Sequence, residues 1–190
     1  MYIALIYNPT DSIKTPINTL LEEAGHQTKV YYKDLNSVDL DAKDLFDLVV
    51  MNLEVCTQTD ADFCQVLMAK RALPILVLAE QTSELSTETI LASGISSYGV
   101  GVFDRERTMT MIDVAIERFR QTQSLAEELM HSKLQLEQRK TIERAKGIIM
   151  TQRSLNEEDA YQHMRRTAMD QGKSLANLSE QIIEVFQLIK

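Results

Sequence analysis

The sequence predicts a two-part chain: an α/β domain on a parallel sheet, followed by an all-α region. Two observations carry this reading. Over roughly the first 105 residues short apolar runs alternate with helical stretches, and strands that alternate with helices pair in parallel with helices on both faces. From residue 105 to 153 there is no proline and a single glycine, Gly147, so the pattern reads as one unbroken helix.

The elements follow in order. Residues 3–7, IALIY, form an apolar run that Asn8-Pro9 ends, as a buried parallel strand would. Residues 15–24 read as a helix with Pro16 at an early position and Gly25 as its stop, because a first-turn proline sacrifices no hydrogen bond. Residues 28–32 and 48–53 are the next strands, 60–71 a helix, 74–78 (PILVL) a fourth strand and 84–93 a helix closed by Gly94. Residues 97–103 make a fifth strand, weakened by Gly99 and Gly101. Five such strands in this span match the size of a flavodoxin-like domain.

The long helix over 105–153 would extend on the order of 70 Å at ~1.5 Å per residue. Ile112, Ala115, Phe119, Thr122, Ala126, Leu129, Lys133 and Leu136 fall on alternating three- and four-residue steps, the spacing of a coiled-coil seam. Leu125 widens that seam. A parallel homodimer through Ile112, Phe119, Leu125, Leu129 and Leu136 is expected. Ile142, Ala145 and Ile149 then give the helix an apolar face. Asn156 starts another helix with Glu157, Glu158 and Asp159 in its first turn, where acids offset the helix dipole. Ala160, Tyr161, Met164 and Ala168 continue its apolar stripe, and Gly172 is a stop. On that stripe Tyr161 is expected to pack in the core. Ser174 caps a last helix over 174–190, with Leu175, Leu178, Ile182, Val185, Phe186 and Ile189 on one face. The expected domains are therefore 1–120, a linker helix over 105–138 and a helical domain over 139–190.

Composition is that of an ordinary soluble protein, 44% hydrophobic and 25% charged in 190 residues. No apolar run approaches the ~20 residues a membrane helix needs, and Met1-Tyr2-Ile3-Ala4 lacks the basic start of a signal peptide. No membrane association and a cytoplasmic location are expected. Cys56 and Cys64 make no disulfide framework. His26, His131 and His163 lie far apart, so neither a metal nor a cofactor is expected. There is no Gly-rich phosphate loop and no nucleophile–base motif, so the chain does not read as an enzyme.

Charge is unevenly placed. Residues 139–173 hold eight Lys or Arg against five acids, a net +3 in a chain of −8. A basic patch on an acidic protein points to an anionic partner held at one place. A solvated face with ion pairs such as Arg139–Glu143 is the other reading, and charge alone leaves both open.

The blocks I-E-R-A-K-G-I-I-M, E-E-D-A-Y and M-R-R-T-A-M occur in this order and at close spacing. They resemble the ANTAR domain of AmiR- and NasT-type transcription antiterminators. The resemblance implies a three-helix module that binds RNA hairpins in leader transcripts. By motif position it makes Lys146, Arg165, Arg166 and Lys173 the leading RNA contacts, with Arg144 and Arg153 next. It also marks Ala145, Ala168 and Met169, where small side chains could let RNA approach. E-R-F-R-Q-T-Q-S-L and E-Q-I-I are similar to the NasT-type branch, which implies nitrate or nitrite assimilation genes and an inhibitory nitrate- or nitrite-sensing partner.

The N-terminal part resembles a response-regulator receiver. A working receiver needs an acid pair after the first strand for Mg²⁺ and a phosphoacceptor aspartate ending the third. It also needs a hydroxyl after the fourth strand and a lysine after the fifth. Those positions fall on Tyr7 and Asn8, Asn52, Ala79 and Gly101. An amide cannot accept phosphate as a carboxylate does, and Tyr/Asn offers Mg²⁺ no charge. Asn52 is thus a degenerate phosphoacceptor position, not expected to be phosphorylated, and control through a protein partner or ligand state is expected instead. Two other functions remain in view: a protein-only signalling adaptor that dimerises through the coiled coil, and a DNA-binding response regulator. The last helix, dominated by apolar residues, does not read as a DNA recognition helix.

Overall fold

The computed structural model describes residues 1–7, 17–32 and 45–188. It divides into two compact units, Met1–Gln123 and Ser124–Lys190, and one helix crosses the boundary.

The first unit is a five-stranded parallel sheet of β1 (Tyr2–Tyr7), β2 (Gln27–Tyr32), β3 (Leu48–Val55), β4 (Ile75–Gln81) and β5 (Ser97–Val100), in the order β2-β1-β3-β4-β5. That is the flavodoxin-like order, and its crevice lies at the carboxyl ends of β1 and β3, where the strand order reverses. The described helices of this unit are α1 (Ile17–Glu23), α2 (Gln58–Lys70), α3 (Thr87–Ala92) and the start of α4 (Arg105–Arg153). Residues 15 and 16 of the expected first helix, and Asn8, lie outside the described residues.

The three inner strands β1, β3 and β4 form because their residues are largely apolar on both faces, whereas the edge strand β2 is mostly polar. Along β3, Val49, Met51 and Leu53 pack with Phe63, Cys64 and Leu67 of α2 and Ile90 of α3. Leu48 and Val50 face the other way, with Ile17 and Leu21 of α1 and Ile112 and Ala115 of α4. Each fully buried Leu or Ile contributes ~1.5–3 kcal/mol, so the sheet carries a large core. Ile112 is 1% exposed there, which corrects its expected place in a dimer seam. Its heptad spacing serves the core of its own unit. Phe119 is half-buried and lines a recess with Met68, Leu91 and Ile95.

β5 is shorter than expected. Gly101 adopts φ +105°, backbone that glycine enters without steric cost, and the strand stops at Val100. Beyond it, the Arg107 guanidinium donates to the Val100 and Val102 carbonyls at 2.9 and 3.0 Å and lies over the Phe103 ring. The helix expected over 84–93 begins later, because Ser86 caps α3 by accepting from the Thr89 N–H at 3.1 Å.

The second unit comprises the rest of α4, α5 (Glu157–Asp170) and α6 (Leu175–Leu188). Asn156 caps α5 by accepting from the Asp159 N–H at 2.9 Å, and Ser174 caps α6 through the Asn177 N–H at 3.1 Å. Gly172 stands between them at φ +63°. The core is thin: Ala145, Met164, Ala168 and Leu178 are buried, with Ile149, Leu175, Ile182 and Ile183 around them. The α6 stripe is incompletely covered. Val185 is more than half exposed and borders an apolar groove of about 350 Å³ with Ile148, Ile149, Ile182 and Phe186. On α4, Leu125, Leu129 and Leu136 are also more than half exposed. No helix among the described residues is long and apolar enough to cross a membrane.

Candidate nucleic-acid interface

The basic residues of the second unit divide into those already engaged and those left open. Lys146 is engaged. It is 8% exposed, and its Nζ lies 2.7 Å from Glu143 Oε2 on its own helix and 2.7 Å from Glu157 Oε1 in the first turn of α5. Its hydrogen bonds to Glu143 and then to Glu157 hold the lysine pKa above the ordinary value. The same bond from Lys146 holds the Glu157 carboxyl below its own. The ammonium therefore ties α4 to α5, where the sequence reading made it a phosphate contact. Lys140 pairs with Glu137 at 2.7 Å, and Lys173 donates to Gln181 Oε1 at 2.8 Å.

Arg139, Arg144, Arg153, Arg165 and Arg166 are exposed, and none makes an ion pair among the described residues. Lys146 with its two carboxylates sums to −1, so the local positive charge resides on the arginines. Arg165 and Arg166 are adjacent on α5 and splay ~100° apart, while Met164 and Ala168 fix the buried side of that helix.

The remaining marked residues separate by exposure. Ala145 and Ala168 are buried in the three-helix core. Their small side chains let α4, α5 and α6 approach one another, and RNA cannot reach them. Met169 is 71% exposed. Tyr161, expected in the core, is 38% exposed, and its hydroxyl has no hydrogen-bond partner among the described residues.

Residues 131–183 match the family model of the ANTAR domain. The chain carries an ANTAR domain. Its match begins within α4 and ends within α6, so it encloses the ionic tie, the core and all five open arginines. Among curated relatives, the Mycobacterium tuberculosis transcriptional regulatory protein PdtaR is 28% identical over 173 residues, 90% of this chain and 84% of that protein. The nitrate regulatory protein of Klebsiella oxytoca is 31% identical over 75 residues, 40% of this chain and 19% of that one. Among solved structures, a two-component response regulator from Clostridium difficile covers 62% of this chain and 98% of its own, at TM-score 0.50 and 17% identity. The response regulator StyR covers 96% and 98% at TM-score 0.50 and 14% identity. These likenesses show the fold of a receiver in the unit that precedes the ANTAR domain.

In that receiver unit, the residues matched to phosphotransfer do converge. Tyr7 and Asn52 are register partners, Leu53 pairs with Ala79, and the Gly101 N–H donates to the Ala79 carbonyl at 2.9 Å. Asn52 is 1% exposed and hydrogen-bonded to the Tyr7 side chain. Burial raises the Tyr7 pKa, so the phenol stays neutral. At the ends of β1 and β3 stands a hydrogen-bonded tyrosine–amide pair. No cluster of metal-binding side chains occurs among the described residues.

The sequence reading missed the Lys146–Glu157 bond because eleven residues and a turn separate the partners. The i,i+3 spacing of Glu143 and Lys146 was the available signal. It missed the exposure of Tyr161 because the residue borders the stripe. One position from Ala160, it is turned ~100° away.

Proposed function

We propose that this protein is an RNA-binding transcription antiterminator. Its ANTAR domain holds a hairpin of a leader transcript in a form that keeps a terminator from folding. The observation that carries the reading is the set of five exposed arginines, without ion pairs among the described residues, within the ANTAR match of an acidic chain. Arg165 and Arg166 would meet phosphates on either side of a groove, with Arg144 and Arg153 extending the contact. Lys173 is exposed and could exchange its Gln181 bond for a phosphate. Lys146 would act by holding α4 and α5 in register.

The likeness to a nitrate regulatory protein supports transcripts of nitrate or nitrite assimilation as targets, and a nitrate- or nitrite-sensing partner as the controlling input. The neutral pair in the receiver crevice supports control by partner or ligand state, with phosphorylation playing no part. The exposed Leu125, Leu129 and Leu136 support a homodimer along α4 that starts beyond Ile112. The reading places the protein in the cytoplasm, with its transcripts, and gives it no catalytic role.

The test is a titration of a leader hairpin at several salt concentrations. Arg166→Ala should remove one phosphate contact and lower the salt slope by ~0.7–0.9. Failure of the wild-type protein to bind any hairpin crosslinked to it in cells would refute the function. Preference for duplex DNA of the same sequence would favour the DNA-binding reading, and binding to neither would favour the adaptor.

A further inference from the structure

The solvent side of α5 carries more than arginines. Tyr161, Arg165 and Met169 are spaced by four residues, which on a helix sets them within ~80° of arc, one turn above another. All three are exposed, Met169 by 71% and Tyr161 by 38%. The core of this unit uses Met164 and Ala168 from the same helix and neither Tyr161 nor Met169. The Tyr161 hydroxyl bonds to nothing among the described residues. The helix thus holds an aromatic ring, a guanidinium and a thioether in one column, beside the open cation Arg166.

We infer that this column is a base-reading subsite: Tyr161 stacks one unpaired base of the RNA loop, Arg165 meets that nucleotide's base edge or phosphate, and Met169 packs against its apolar face. The inference rests on the RNA-binding reading above and divides its labour. Arg166, ~100° round the helix from Arg165, supplies sequence-independent charge, and the column supplies the preference among loops. Single-stranded loop bases are recognised by stacking on aromatic rings and arginine planes, and stacking needs the ring and not its hydroxyl.

The experiment uses the full-length protein and an RNA pool of fixed stem and randomised loop. The tightest binder drawn by wild type is remade with each loop base replaced in turn by an abasic site, and every RNA is titrated against wild type, Tyr161→Phe and Tyr161→Ala. Tyr161→Ala should weaken the parent hairpin by about 5- to 150-fold, as loss of one stacked base does, with an unchanged salt slope. Tyr161→Phe should bind as wild type. One abasic position should weaken wild type but not Tyr161→Ala, which identifies the stacked base. Equal affinity of Tyr161→Ala and wild type would overturn the subsite and leave the RNA-binding reading standing. So would loss of helical circular dichroism in Tyr161→Ala, since the ring would then be holding the core. A pool from which wild type draws no RNA would overturn both.

Discussion

The two units handle their polar groups in opposite ways. The receiver unit places a half-buried tyrosine beside a buried amide at the crevice where its fold places ligands, and keeps the pair neutral. The ANTAR unit turns five arginines outward and ties α4 to α5 through Lys146. Their cores differ in the same sense. The sheet is packed on both faces by large aliphatic side chains, whereas the three-helix core rests on two alanines, a methionine and a leucine. A thin core is what lets α5, α6 and the end of α4 offer most of their side chains to solvent, and it makes that unit the more fragile.

The largest test of this contrast is Met164→Ala. Emptying a buried methionine site costs about 2–5 kcal/mol, a large share of the stability of so small a core. Hydrogen exchange should show α5 and α6 losing protection while β3 and β4 keep theirs. Loss of protection in both units together would mean that they share one cooperative core.

Next in size is the α4 seam. Leu129→Asp puts a charge in the exposed stripe and should shift a dimer toward monomer by light scattering, with the receiver fold intact. Ile112→Asp buries a charge in the sheet core and should unfold the receiver instead. A wild-type monomer at micromolar concentration would remove the seam from the account.

A smaller effect is expected at the ionic tie. Because Lys146 depresses the Glu157 pKa, the pair stabilises above the ordinary carboxylate value and loses that contribution as pH falls through the depressed one. Glu157→Gln should slightly lower the melting temperature at neutral pH and flatten the decline in stability as pH falls below the ordinary carboxylate range. An unaltered acid limb would mean that the contact does not hold in solution. The smallest effect is a null one: acetyl phosphate with Mg²⁺ should leave the intact mass unchanged. A stoichiometric adduct on the N-terminal unit would reopen phosphorylation as a control.

These contrasts were unequally legible in the amino-acid order. The sheet was readable because buried parallel strands carry continuous apolar runs, as over 48–51 and 75–79. The end of β5 was not, since Gly101 breaks the strand by a left-handed turn that its identity permits without requiring. The α4 pattern showed an apolar seam but could not divide it, because Ile112 inside a core and Leu129 in solvent satisfy the same heptad. Charge counting located the patch and could not tell Lys146 from the arginines. That distinction depends on where Glu157 lands after the turn.

The ionic tie also governs what reagents and enzymes can do to this surface. Acylation needs a free amine pair on nitrogen and room to approach it. Lys146 offers neither, being enclosed and held protonated by two carboxylates. Lys133, Lys140 and Lys173 are exposed to solvent, the last two in single surface contacts, so acetyl groups would collect on them and bypass the lysine at the centre of the motif. Arginine, which these modifications do not neutralise, carries the exposed charge, and the positive face of the ANTAR unit would persist through swings in cellular acetylation.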